Sequence, residues 1–190
     1  MPPRFESLVA RIEKRDSHPP DDGRKRAAVA IVLHEDRVLL MKRTSRDDDP
    51  WSGHISLPGG GFKPADGDLL ATAIRETREE LGVDLAAMRW LGSLAALSPL
   101  SAGPHGMEVT PFVFLADTEV TPVPGPEAES AFWLPLDVAA SGALDATYRY
   151  PKLDRDLPSW NFEQHVIWGL TYRILGELLE LVRGDAPRTS

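Results

Sequence analysis

The stretch "SLPGGGFKPADGDLLATAIRETREELGV", Ser56 to Val83, decides how the rest of the chain is read. It joins consecutive glycines, Gly59 to Gly61, to an acidic loop spaced by proline and then to a helix dense in glutamate and arginine. Asp68 stands where an N-cap is needed, because Leu69, Leu70, Ala73, Ile74, Thr77 and Leu81 then trace one apolar stripe. Gly82 stops the helix. Just upstream, "ISLPGGG" reads as a short strand entering a glycine turn, where backbone can approach a ligand or take a positive φ.

Relative to Glu76, Glu79 lies at i+3 and Glu80 at i+4, so the three carboxylates leave neighbouring positions on one side of the helix. Like charges so placed repel, and the apolar stripe on one flank keeps them near the edge of the packed face. One reading is a solvated face in which Arg75 and Glu79 form an i,i+4 pair worth about 0.2–0.5 kcal/mol. The other is a site for a hard cation, since clustered carboxylate oxygens suit Mg²⁺ or Mn²⁺ and Mg²⁺ shares its shell with water and substrate phosphates. The adjoining glycines favour the second.

Outward from this stretch the chain alternates strand and helix signals. Arg4 to Arg15 has Phe5, Leu8, Val9 and Ile12 at helical spacing, and "DSHPPDDG" ends it. "AAVAIVLHEDRVLLMKRT" reads as a hairpin of central strands, and "RWLGSLAALSP", "EVTPFVFLA" and "SAFWLPL" as further strands, the last entering a turn or helix at "LDVAASGA". "PVPGPEAES" is a loop. "EQHVIWGLTYRILGELLELV" reads as one long helix burying Val166, Ile167, Leu170, Ile174, Leu178 and Val182. Mixed strands, an internal helix and a C-terminal helix predict an α+β fold, an α/β/α sandwich. The expected organisation is an N-terminal helix and linker over 1–24, one domain over 25–184, and a flexible tail over 185–190.

Composition narrows the function. The 190 residues carry a formal net charge of −8, which disfavours a nucleic-acid partner because phosphate backbones need clustered Lys and Arg. An anionic ligand remains compatible, since a bound divalent cation dominates its surroundings. Cysteine is absent, excluding disulfides, thiolate metal sites and thiol nucleophiles. The first twenty residues have charges inside their apolar pattern and support neither a signal peptide nor a membrane span. A cytoplasmic protein is expected.

"RETREELGV", Arg75 to Val83, resembles the core of the Nudix box: Arg-Glu, an aliphatic residue, any residue, Glu-Glu, any residue, Gly, then an aliphatic residue. "PGG" at Pro58 to Gly60 strengthens the match, and Thr77 departs from it in an aliphatic position. The first half of the box is irregular, because Gly67 stands where the pattern has an acid eight residues before the Arg. With Gly60 as the family glycine the loop is one residue longer, and Asp66 or Asp68 takes over that acid's supporting role. Leu39, Leu40, Arg43 and Gly53 ahead of "LPGG" resemble the coenzyme A diphosphatase branch, with Leu57 for its Phe, His54 for a common Gln and Asp49 where an Arg is expected. "EAESAFWLPL" and "IWGLTYRIL" resemble family segments further along.

The resemblance implies the Nudix-type sandwich and hydrolysis of a nucleoside diphosphate linked to another moiety, here coenzyme A or a derivative. Rival substrates are ADP-ribose, nucleotide sugars and nucleoside triphosphates, and a different class of reading is a non-catalytic nucleotide sensor. Glu76, Glu79 and Glu80 would bind Mg²⁺ or Mn²⁺, and Arg75 would orient the carboxylates. The general base would be Glu127, Glu79 or Glu80. Gly59, Gly60, Arg43 and His54 are expected to contact substrate, with Arg46 and His105 as further candidates. Trp51, Trp133, Trp160 and Trp168 include stacking platforms for a base, Trp168 reading as core from its helical stripe. The expected partner is a small nucleotide, with no membrane, and a homodimer is among the assemblies such a family adopts.

Overall fold

The computed structural model describes residues 8, 10–45, 53–100, 106–151 and 154–184. The hairpin forms where its alternating apolar text requires: β1 (Arg26–His34) and β2 (Arg37–Arg43) pair antiparallel, with Glu35 turning the chain at φ 51°. β1 also pairs in parallel with β6 (Glu108–Leu115), and β5 (Arg89–Ser93) runs antiparallel to β6. On the other side β2 pairs with β3 (Ile55–Ser56) and with β7 (Ala128–Pro135). The result is a seven-stranded mixed sheet, ordered β3-β2-β1-β6-β5 along its main path.

Period-2 alternation sends successive residues to opposite faces. Ala28, Ala30, Val32, Phe112 and Phe114 pack with Leu69, Ala73 and Leu81 of α1 (Leu69–Leu81). Ile31, Leu33, Leu40, Val113 and Leu115 pack with Ile174, Leu175 and Leu178 of α3 (Gly169–Arg183), while a short α2 (Leu136–Ala140) follows β7. Both faces of the sheet are therefore covered, which is the expected α/β/α sandwich.

The glycine run departs from its sequence reading. Gly59–Gly61 is not a turn but a strand, β4, pairing antiparallel with the start of β1 at Val29, Ala28 and Ala27. Glycine is required there by close approach: a Cβ on Gly59, whose φ is 150°, would collide with the Ala28 carbonyl. A residue without a side chain carries no alternation, so pattern reading misses such a strand.

The C-terminal helix also begins later than its apolar spacing suggests. His165–Trp168 is a strand, β10, paired with β9 (Arg155–Phe162) through a turn at Glu163, φ 53°. β9 pairs in turn with β8 (Asp145–Tyr150), completing a three-stranded antiparallel sheet. Val166 consequently faces solvent, and Gly169, at φ 63°, separates strand from helix.

Of the expected helix over Arg4 to Arg15, residues 4–7 and 9 lie outside the described residues; Leu8, Ala10 and Arg11 are helical, but the segment from Ile12 to Arg15 is not, because Glu13 pairs with Ser93 instead. Leu8 is fully buried in the α3-side core, and Ile12 N–H donates to the Leu8 carbonyl at 2.8 Å. Glu13 then bridges to Ser93, and the Ser17 hydroxyl and carbonyl bond the Asp68 side chain and the Leu69 amide, so this segment reaches the start of α1. Arg46, Trp51, His105 and the tail 185–190 lie outside the described residues. No helix among the described residues is long and apolar enough to cross a membrane.

Candidate active site

Asp68 caps α1, accepting from Ala71 N–H at 2.7 Å, and Gly82 closes it in the left-handed conformation with its N–H on the Arg78 carbonyl. The helix therefore starts and stops at the residues its sequence marks, and it sets Glu76 and Glu80 against β4. Their environments differ steeply. The Glu79 side chain is 55% exposed, that of Glu76 13% and that of Glu80 2%.

Glu80 points inward, accepting from Gly59 N–H at 2.8 Å, with the Arg43 guanidinium 3.7 Å away. Burial pushes its carboxyl up to about 8, only partly offset by that amide and by Arg43, and Glu76 and Glu127 nearby add to the rise. Glu76 lies against the backbone of Gly60, where an added Cβ would come within 2.6 Å of its carboxyl carbon.

Arg75 sits behind the acids and ties them together. Its Nη1 donates to Glu76 Oε1 at 2.6 Å and to Glu79 Oε2 at 3.1 Å, and its Nη2 reaches the Gly61 carbonyl at 3.3 Å. Asp66 grips the same guanidinium bidentately, Oδ1 on Nε at 2.6 Å and Oδ2 on Nη2 at 2.9 Å. Asp66 also accepts from the Lys63 amide and the Thr72 hydroxyl, and the Arg75 fork holds its carboxyl well below the usual carboxylate range. Of the two acids that could support the box, Asp66 is thus the one bonded to Arg75, whereas Asp68 is spent on the cap.

The loop after β6 is clipped to the end of α1. Val123 N–H donates to the Leu81 carbonyl and Gly125 N–H to the Glu80 carbonyl, both at 2.7 Å. A Cβ on Gly125 would fall 2.5 Å from the Glu79 carbonyl. Thr44 completes the clip from β2, its amide on the Glu127 carbonyl and its hydroxyl on that of Pro126. Glu127 is thereby carried to the rim.

One cavity of about 420 Å³ collects these groups: Glu76, Glu79, Glu80, Glu127, Arg43, His54, Gly59 and Gly60 all line it. Arg75 does not, so its contact is with the carboxylates and not with the cavity. The same cavity is also lined by apolar and aromatic side chains, those of Val109, Leu170, Ile174, Tyr150 and Trp168. Trp168 is accordingly not core: it stacks on Tyr148 with ring centroids 4.4 Å apart and meets the His54 ring edge-on at 4.9 Å. Trp160 is buried and Trp133 lies beside His34 and Arg37, so neither faces the cavity. Tyr150 carried no sequence signal, because the second sheet that presents it alternates exposed and half-buried residues.

Among the described residues no three acidic or histidine side chains are gathered closely enough to hold an ion as they stand, since Arg75 engages Glu76 and Glu79. The donor chemistry nonetheless fits a hard cation. The set is all carboxylate oxygen, and among the described residues the positive charge paired with buried Glu80 is that of Arg43, at 3.7 Å.

Comparison with known proteins agrees with this geometry. Residues 23–156 match the NUDIX domain. The chain is similar to the uncharacterized Nudix hydrolase NudL of Photorhabdus laumondii, 32% identical over 187 residues covering 93% of this chain and 96% of that protein. It is likewise similar to the one from Yersinia enterocolitica, 35% identical over 164 residues covering 81% and 78%. Among solved structures, a NUDIX hydrolase from Alicyclobacillus acidocaldarius shares the fold with TM-score 0.57 at 17% identity, covering 84% of this chain and 93% of that one. The capped box helix, its arginine-tied glutamates and the sandwich that holds them thus agree with the sequence match: the chain belongs to the Nudix hydrolase family.

Proposed function

We propose that this protein hydrolyses the diphosphate of coenzyme A or a derivative, in the presence of Mg²⁺ or Mn²⁺. The observation that carries the reading is that one cavity is lined both by Glu76, Glu79 and Glu80 and by aromatic and aliphatic side chains. Such a site takes a charged diphosphate at one end and a less polar moiety at the other. Leu39 and Leu40 anchor β2 in the core and bring Arg43 to the cavity, which suits the branch signature in which they occur.

Glu76, Glu79 and Glu80 would hold the cation, whose chemistry is to neutralise diphosphate oxygens and acidify a bound water. Arg75, kept in place by Asp66, sets the orientation of Glu76 and Glu79. Arg43 offers a planar fork to a phosphate. Glu127 stands at the rim to take a proton as water oxygen bonds to phosphorus and the bridging P–O bond breaks. With coenzyme A the products are phosphopantetheine and adenosine 3′,5′-bisphosphate.

The test is product identification by mass spectrometry after incubation with Mg²⁺ or Mn²⁺ and a mixture of coenzyme A, ADP-ribose, a nucleotide sugar and a nucleoside triphosphate. Selective phosphopantetheine release is expected. Cleavage of another member alone would overturn the coenzyme A assignment, and binding without turnover would favour a sensor.

A further inference from the structure

Beside the cavity just described lies a second one, of about 350 Å³. The two share His54, Ile55 and Trp168, so the edge-on contact of the His54 and Trp168 rings forms the partition between them. Both residues are only half-buried, so the boundary between the two cavities reaches solvent. We propose that the second cavity is a subsite for the non-nucleotide arm of the substrate, a flexible chain that alternates amide and methylene groups.

This inference rests on the diphosphatase reading and extends it. Size is the first support: drug-sized ligands occupy about 300–1,000 Å³, and coenzyme A is larger than most, so its two halves overfill the carboxylate cavity alone. Sequence placement is the second. Gly53, part of the segment that resembles the coenzyme A signature, lines the second cavity and not the first, and His54 lines both. Chemistry is the third. Gln164 and Ser130 can exchange hydrogen bonds with amides, while Tyr148 and Val166 offer apolar surface to methylenes. Lys42, already paired with Glu129 at 2.7 Å, adds no net charge, which suits an uncharged arm better than a second phosphate.

The experiment compares coenzyme A with the same nucleotide diphosphate capped by a methyl group beyond its second phosphate. Val166→Trp places a ring in the subsite from a strand position that is 37% exposed, and Gln164→Ala removes an amide from the exposed β9–β10 turn. The preference for coenzyme A over the methyl-capped analogue, as a ratio of kcat/KM, should fall about tenfold in the first and severalfold in the second, through KM. A ratio within twofold of wild type in both variants would overturn the subsite while leaving the diphosphatase reading intact. Failure of the wild-type protein to cleave coenzyme A would instead overturn that reading and the subsite with it.

Discussion

Asp66 and Arg75 are joined by two parallel hydrogen bonds, 2.6 and 2.9 Å long, on the side of the guanidinium away from Glu76 and Glu79. The pair is enclosed, with the Asp66 side chain 5% and the Arg75 side chain 23% exposed. Arg75 thus reaches the box acids from a fixed base, and the acid doing this lies one residue ahead of the position the regular pattern assigns.

Asp66→Asn should therefore lower stability by about 2–3 kcal/mol, because the guanidinium, although still paired with Glu76 and Glu79, loses its two charge-assisted hydrogen bonds to an enclosed carboxylate. Turnover should fall about 10–100-fold, the usual cost of losing an outer-shell support. Asp68→Asn, which keeps a good cap, should change stability by only a few tenths of a kcal/mol. Urea denaturation of the two variants checks the contrast.

The pH dependence of stability follows from the same pair. Asp66 titrates lower folded than unfolded, so its contribution is present above the unfolded value and is lost as pH falls through and below it. Wild-type protein should lose more stability than Asp66→Asn between about pH 4.5 and pH 2.5. Parallel pH–stability curves would contradict this.

Glu80 has the opposite sign. Its carboxyl is raised to about 8 by burial, so the stability it allows is greatest at low pH and declines as pH rises towards that value. In the presence of a chelator at pH 8.5, Glu80→Gln should unfold at least about 2–4 °C above wild type, the equivalent of roughly 1 kcal/mol in a chain of this size. Adding Mg²⁺ should raise the wild-type midpoint more than that of the variant. Differential scanning calorimetry reads both.

Gly60 and Gly125 leave room for different things. Gly60→Ala displaces only the end of the Glu76 side chain, so it should weaken Mn²⁺ binding severalfold while changing stability by less than about 1 kcal/mol. Gly125→Ala meets backbone at the Glu79 carbonyl and must move the loop that carries Glu127. It should lower kcat about tenfold with little change in KM, and the loss should vanish in a Glu127→Gln background, as a double-mutant cycle would reveal.

The box helix was legible because every signal over Asp68 to Gly82 agreed: cap, stripe and stop. The hairpin was legible for the same reason, its alternation splitting cleanly between the two cores. β4 was not, because glycines have no side chains to alternate, and its pairing with β1 depends on contact distant in sequence. β10 was hidden by apolar residues that fit a helical spacing as well as a strand. Glu76, Glu79, Glu80, Glu127, Arg43, His54, Gly59 and Gly60 line one cavity while Arg75 does not, and their spacing could not reveal Tyr150 and Trp168, which a second sheet brings in from the far end of the chain.

The most direct test of the account is coenzyme A turnover measured with Mg²⁺, after chelation, and in the Glu79→Gln and Glu80→Gln variants. The account predicts loss of turnover on chelation, recovery with Mg²⁺ or Mn²⁺, and loss in each variant with the fold retained. Turnover that survives chelation, or that is unchanged in both variants, would contradict it.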